Sequence, residues 1–151
     1  MALRVYNTLS RGKEEFIPLS GKKVGMYVCG VTSYDFCHMG HARAYITFDM
    51  VRRWLEFKGY EVRHVQNFTD VDDKIINKAR KEGDPQKAME IASRFIEEYY
   101  KDMDALGVAR AHVFPKVSEH IAEIIKFVEK LLAKGIAYEV DGDVLYDVSK
   151  F

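Results

Sequence analysis

Hydrophobic positions along this chain change rhythm several times, and each rhythm predicts an element. Residues 4–19 read as a short strand, a turn at Arg11-Gly-Lys13 and a second extended piece ending at Pro18. From Lys23 to Cys29 nearly every position is apolar. That pattern predicts a strand covered on both faces. From about Gly40 to Lys58 the spacing becomes helical, with Phe48, Val51, Trp54 and Leu55 on one stripe and Gly59 as terminator. Glu61–Phe68 predicts a second strand, parallel to the first through the helical crossover. Asp70 is the expected N-cap of a helix over Val71–Glu82. Asp84-Pro85 opens another helix that runs to about Leu106, where Gly107 ends it.

After Val113-Phe-Pro-Lys-Val117, Ser118 is the expected cap of a last long helix. Its predicted buried face is Ile121, Ile124, Ile125, Val128 and Leu132. Ala137–Val140 and Asp143–Tyr146 flank Asp141-Gly142, a strong hairpin signal. Strands alternating with long helices give an α/β fold. The elements expected from the pattern are parallel strands, long helices and a C-terminal β-hairpin. Two parallel strands do not complete a doubly wound sheet, which leaves two readings: a piece of a larger fold, or a short chain that closes its sheet some other way.

Composition narrows the reading. The 151 residues suffice for one domain with a core, and 30% charged content is that of a soluble globular protein. Lys and Arg number 23, as do Asp and Glu, so the net charge is zero. A chain gripping nucleic acid mainly through this segment would be more basic. The opening Met1-Ala-Leu-Arg4 lacks the apolar stretch of a signal peptide, and no segment reads as a membrane span. Two cysteines make no disulfide framework, and the expected setting is the reducing cytoplasm. The oligomeric state is left open.

The chemistry concentrates between Val24 and His41. A strand ends on Cys29-Gly30, a polar loop follows, and His38-Met-Gly-His41 opens a helix. Strand, loop and helix N-terminus form a shape suited to phosphate, because the first N–H groups of a helix are unpaired. Gly40 would let a ligand approach the backbone. His38 and His41 stand three apart, and a cation at a helix start opposes the dipole, so the pair points to function. Cys29, Cys37, His38 and His41 lie within thirteen residues and form a rival metal set. Their spacing is not that of a zinc finger. Asp70, Asp72 and Asp73 suit either the first helical turn or a substrate ammonium.

Three motifs in order resemble cysteinyl-tRNA synthetases: Cys29-Gly-Val-Thr32, His38-Met-Gly-His41 and Asn67-Phe-Thr-Asp-Val-Asp-Asp-Lys-Ile75. The likeness runs from Tyr6-Asn-Thr8 to Gly142-Asp-Val144. It implies the N-terminal part of a class I synthetase catalytic domain, with a Rossmann-like nucleotide-binding half-domain as its fold. Residues 1–112 would be half of the Rossmann-like domain, and 113–151 a helix and hairpin leading into the connective insertion. The Lys-Met-Ser-Lys-Ser loop and the anticodon-binding domain would lie outside the chain, implying reduced activity.

The resemblance also assigns residues. His38 and His41 would be catalytic. With Gly30, Thr32 and Gly40 they would bind ATP, taken as substrate with Mg2+. Tyr27, Cys29, Gly30, Thr32, Asn67, Thr69 and Asp70 would line the cysteine site. Cys29 would be one of four zinc ligands, the others lying beyond this chain, so one cysteine cannot complete the site here. Cysteine, ATP and the tRNA for cysteine are the implied partners. Ala44 departs from the family, which usually has threonine there. Two other readings stay open: a ligase joining cysteine to an amino sugar, as in mycothiol synthesis, and a noncatalytic ATP-binding module. The Asp72-Asp73-Lys74-Ile75 segment favours the synthetase.

Overall fold

The computed structural model describes residues 3–151. β1 (Arg4–Asn7) and β2 (Gly12–Glu15) pair antiparallel. The turn between them falls on residues 8–11, ahead of the expected Arg11–Lys13. Leu9 N–H donates to Asn7 Oδ1, and Arg11 takes φ 56°, so Gly12 and Lys13 are already in the strand.

β3 (Lys23–Val28) and β4 (Glu61–Gln66) form the central parallel pair, in register from Lys23 opposite Glu61 to Val28 opposite Gln66. α1 (Met39–Phe57) is the crossover between them. The expected double covering of β3 is not observed. Val24 and Val28 are buried, whereas Gly25 and Tyr27 face outward. The α1 stripe differs as well. Tyr45, Asp49 and Leu55 are its buried residues, while Phe48, Val51 and Trp54 are exposed. An apolar run or stripe marks a face that gains from burial; it does not show what is present to cover it.

A third extended run lies beside β4. Val65 bridges Val113 and Phe68 bridges Lys116, both in parallel sense. Gln66 N–H donates to the Val113 carbonyl and Phe68 N–H to the Pro115 carbonyl. Proline is tolerated because this run is an edge, where its carbonyl can accept while its absent N–H is not required. α1 pins the approach to this run. Asp49 accepts from Ala109 N–H at 3.1 Å and from Arg53 Nε at 2.7 Å, and Arg52 donates to the Arg110 carbonyl.

α2 (Asp73–Lys81) and α3 (Ala88–Ala105) follow β4, joined through a 3-10 turn over Pro85–Lys87 that Asp84 caps. The cap of α2 is Asp72, whose carboxylate accepts from Lys74 N–H; Asp70 is not the cap. One core gathers Val28, Val31, Tyr45, Phe68, Ile96, Tyr99 and Met103 between the sheet and α3. Phe68, fully buried, meets Tyr99, Tyr100 and Phe114 at ring distances of 5.1, 5.5 and 5.2 Å. A second core, Ile75, Ala79, Ile91, Ala92 and Phe95, joins α2 to α3.

α4 (Ile121–Ala133) begins without a side-chain cap. Ser118 lies in a short 3-10 turn over Val117–Glu119 instead. The expected buried face is largely open, since Ile121, Ile124 and Ile125 are exposed and only Val128 and Leu132 are half-buried. β5 (Ala137–Val140) and β6 (Asp143–Tyr146) form the predicted hairpin. Asp141 and Gly142 both take positive φ, 52° and 88°, the geometry a two-residue turn of this hand requires.

Candidate functional site

The parallel pairing of β3 and β4 continues past their ends, and this builds one rim of the site. Thr69 N–H donates to the Val31 carbonyl, Ser33 N–H donates to the Thr69 carbonyl, and Thr32 bridges Thr69. Asn67 is the fastening point. Its Oδ1 accepts from Gly30 N–H at 2.9 Å and from the Tyr27 hydroxyl at 2.8 Å, while its Nδ2 contacts Thr69 Oγ1 at 3.3 Å. Tyr27, Gly30, Asn67 and Thr69, expected around one substrate, are thus one hydrogen-bonded group.

The histidines meet at the start of α1. Their ring centroids are 4.1 Å apart. His38 Nδ1 accepts from Gly40 N–H at 3.0 Å, and His41 Nδ1 accepts from His38 N–H at 3.2 Å. Together they form a reciprocal capping box, with imidazoles in place of the usual hydroxyl and carboxylate. The pair was expected to oppose the helix dipole as exposed cations. The objection applies to imidazolium; neutral rings accept the orphan N–H groups. Acceptance at Nδ1 fixes the neutral tautomer, with the proton on Nε2. Burial, and then the neighbouring His38 ring, hold His41 below the usual imidazole range. Each ring therefore keeps an Nε2–H donor at a helix end already rich in positive potential.

Gly40 serves a different purpose from the expected one. A Cβ there would stand 2.7 Å from His38 Cε1 and 2.9 Å from His38 Nδ1. The space over Gly40 is filled by the capping ring itself.

A cavity of about 280 Å3 opens beside the histidines. Its walls include Val31, Thr32, Tyr34, Asp35, Cys37, His38, His41 and Lys74, with Phe95 and Tyr99 from α3. The sequence reading placed Thr32, His38 and His41 in a site and missed Tyr34, Asp35 and Lys74. Phe95 and Tyr99 belong to the two cores, and they also wall the cavity. The Tyr99 hydroxyl accepts from Gln66 Nε2 at 2.7 Å, and burial pushes it up to about 12. Burial likewise pushes the Cys37 thiol up to about 11, with Asp102 adding to the effect.

Cys29 stands exposed just past the end of β3 and is not among the cavity walls. Tyr45 links it to the histidines: the Tyr45 hydroxyl donates to the Cys29 carbonyl at 3.4 Å, and the Tyr45 ring lies nearly parallel to His41, 6.4 Å away. Asp70 is outside the cluster. It is buried, with Ser118 N–H on Oδ1 at 2.9 Å and the Ser118 hydroxyl on Oδ2. Among the described residues no three histidine, cysteine or carboxylate side chains converge as a metal-binding set. Cys29, Cys37, His38 and His41 are therefore not a local zinc site, and Cys29 alone does not fit a closed tetrahedral one.

Comparison with known proteins places the chain in a family. The profile described as "tRNA synthetases class I (C) catalytic domain" matches residues 15–151. The cysteine–tRNA ligase of Geobacter sulfurreducens is 58% identical over the whole chain, which is 31% of that protein. That of Archaeoglobus fulgidus is 57% identical over 99% of the chain and 32% of its own length. The chain thus spans about a third of these relatives. Among solved structures, the LeuRS of Agrobacterium radiobacter, solved with tRNA and LeuAMS, has a TM-score of 0.65 at 25% identity, covering 81% of this chain and 16% of that one. The methionyl-tRNA synthetase of Mycobacterium tuberculosis with methionyl-adenylate gives 0.63 at 20% identity, over 83% of this chain and 29% of that one, and shows likeness of fold. The chain belongs to the family of class I (C) tRNA synthetase catalytic domains.

Proposed function

We propose that this chain is the part of a cysteine–tRNA ligase that holds ATP and cysteine for adenylate formation. The reaction joins the cysteine carboxylate to the α-phosphate of ATP and releases pyrophosphate; the cysteinyl group then passes from the adenylate to the 3′ end of tRNA, and AMP leaves. The observation supporting this reading is the histidine capping box. It presents two Nε2–H donors and the α1 N-terminus beside one cavity. Donors held in place before reaction stabilise charge growing on a phosphate without reorganising.

The rim group has a different role. Tyr27, Gly30, Asn67 and Thr69 bond to one another, so their remaining polar atoms are fixed in direction where an amino acid would sit. Asp70, committed to Ser118, positions the edge run rather than substrate. ATP carries its Mg2+ as substrate. The described residues do not assemble a zinc site, and no step here depends on one. Transfer to tRNA, rather than to an amino sugar, is supported by the names of relatives above 50% identity.

The test is an equilibrium ATP titration of the wild-type chain and of His41→Ala. Saturable binding that weakens about tenfold or more in the variant is expected, the size of a lost charge-assisted hydrogen bond. Equal affinity in the two proteins would remove the histidines from the site.

A further inference from the structure

Lys74 is at odds with its local position. It is the second residue of α2, where a cation opposes the helix dipole. Among the described residues no carboxylate lies within 4.0 Å of its ammonium, in contrast to Lys78, which pairs with Asp35 at 3.8 Å. Its Nζ rests 5.3 Å from the centroid of the Tyr34 ring. Both Tyr34 and Lys74 wall the cavity that holds His38 and His41. Asp35 is the opposing charge there, and Lys78 offsets it. The cavity therefore combines a helix N-terminus, two imidazoles and a cation, delivered by a separate helix, that has no carboxylate partner among the described residues.

We propose that Lys74 is a further phosphate-binding residue of this cavity, gripping the polyphosphate of the nucleotide from α2 while α1 holds it through the histidines. A lysine is a compact point charge on a flexible stem, suited to following phosphates that shift during reaction. The Tyr34 ring gives the ammonium a resting place that releases it at little cost, because an exposed cation–π contact is weak. Its contribution scales with ligand charge, so triphosphate and pyrophosphate gain more than a nucleoside monophosphate.

This proposal rests on the ATP-site reading above, and the test separates the two. ATP, pyrophosphate, AMP and a short single-stranded RNA are titrated into wild type, Lys74→Gln, Lys74→Arg and His41→Ala. Lys74→Gln is expected to weaken ATP and pyrophosphate about tenfold and AMP much less, with Lys74→Arg restoring most of the loss. The Lys74→Gln protein should melt no lower than wild type, since removing a cation from the first turn relieves the dipole. ATP binding lost in His41→Ala and unchanged in Lys74→Gln overturns the Lys74 role alone. Equal losses for ATP and AMP, or a loss confined to RNA, also overturn it. A wild-type chain that binds no ATP overturns both readings.

Discussion

Gly30 and Asn67 approach so closely that a Cβ on the glycine would lie 1.5 Å from the Asn67 carbonyl oxygen. The nearest obstacles are backbone atoms, which cannot rotate away. Gly30→Ala should therefore separate the ends of β3 and β4. A loss of about 1–3 kcal/mol, the range for overpacked positions, is expected in denaturant unfolding. Asn67→Ala removes the shared acceptor without the clash, so it should cost less stability while loosening Tyr27. An unchanged unfolding midpoint for Gly30→Ala would show that the two backbones are not in contact.

The two functions of His38 can be separated by substitution. Its Nδ1 caps α1, and an asparagine oxygen can take over that acceptance. His38→Asn should keep most of the stability, whereas His38→Ala should lose about 1 kcal/mol, as expected for an N-cap. Both lack the Nε2–H donor, so both should bind ATP more weakly. Urea midpoints read the first effect and ATP titration the second. An asparagine variant that binds ATP like wild type would assign the histidine to capping alone.

Much of this arrangement was legible in the residues. Periodicity located all the principal helices, and Asp141-Gly142 located the hairpin, because these signals depend on neighbouring residues only. The histidines were placed correctly at a helix start. What they do to that helix was missed, since accepting through Nδ1 is a matter of tautomer, which residue type does not encode. Asp70 and Ser118 were each read as caps from local preference. They instead bond to each other across 48 positions, a long-range pairing that outweighs local propensity. The third parallel run was hidden by Pro115, which reads as a breaker unless the run is known to be an edge. Lys74 was passed over because a lysine on an exposed helix is ordinarily a solvated residue.

The Asp70–Ser118 pair should hold the edge run to the sheet. Asp70 is buried, and its two oxygens take both donors of Ser118. Ser118→Ala leaves one carboxylate oxygen without its hydroxyl partner, at a cost of about 1–3 kcal/mol. The loss should be local first. Amide exchange at Gln66 and Phe68, which donate to the Val113 and Pro115 carbonyls, should accelerate more than exchange within the core of α3. Uniform acceleration across the chain would argue against a separate clamp.

Acidification should destabilise the chain through His64. The ring is buried, and neither nitrogen has a hydrogen-bond partner among the described residues. Burial lowers its pKa from the ordinary 6.5, and the nearby Arg52 and His112 lower it further, with Asp49 opposing. The folded state thus resists a proton that the unfolded chain accepts. Stability is fully present above pH 6.5 and is lost as pH falls from there toward the depressed folded value. His41, also depressed, acts in the same direction. Urea midpoints should be flat from pH 8 to 7 and decline below about 6.5, with a shallower decline in His64→Gln. Identical profiles for the two proteins would exclude His64 as a source of the pH dependence.

The two thiols should differ sharply in reactivity. Thiolate is the attacking form, so alkylation depends on both access and pKa. Cys37 is half-buried, and its pKa is pushed up to about 11 by burial and by Asp102, leaving little thiolate near neutrality. Cys29 is exposed at the end of β3. Iodoacetamide at pH 7.5 should label Cys29 first, with Cys37 following only after unfolding. The same measurement bears on the substrate site. Cys29 sits beside Gly30, whose N–H is held by the Asn67 hub, and its carbonyl accepts from Tyr45, which stacks on His41. A cysteinyl-adenylate analogue bound across that rim should slow labelling of Cys29 and leave Cys37 unaffected. Equal labelling of Cys29 with and without the analogue would place the amino acid elsewhere in the fold, whatever the nucleotide does.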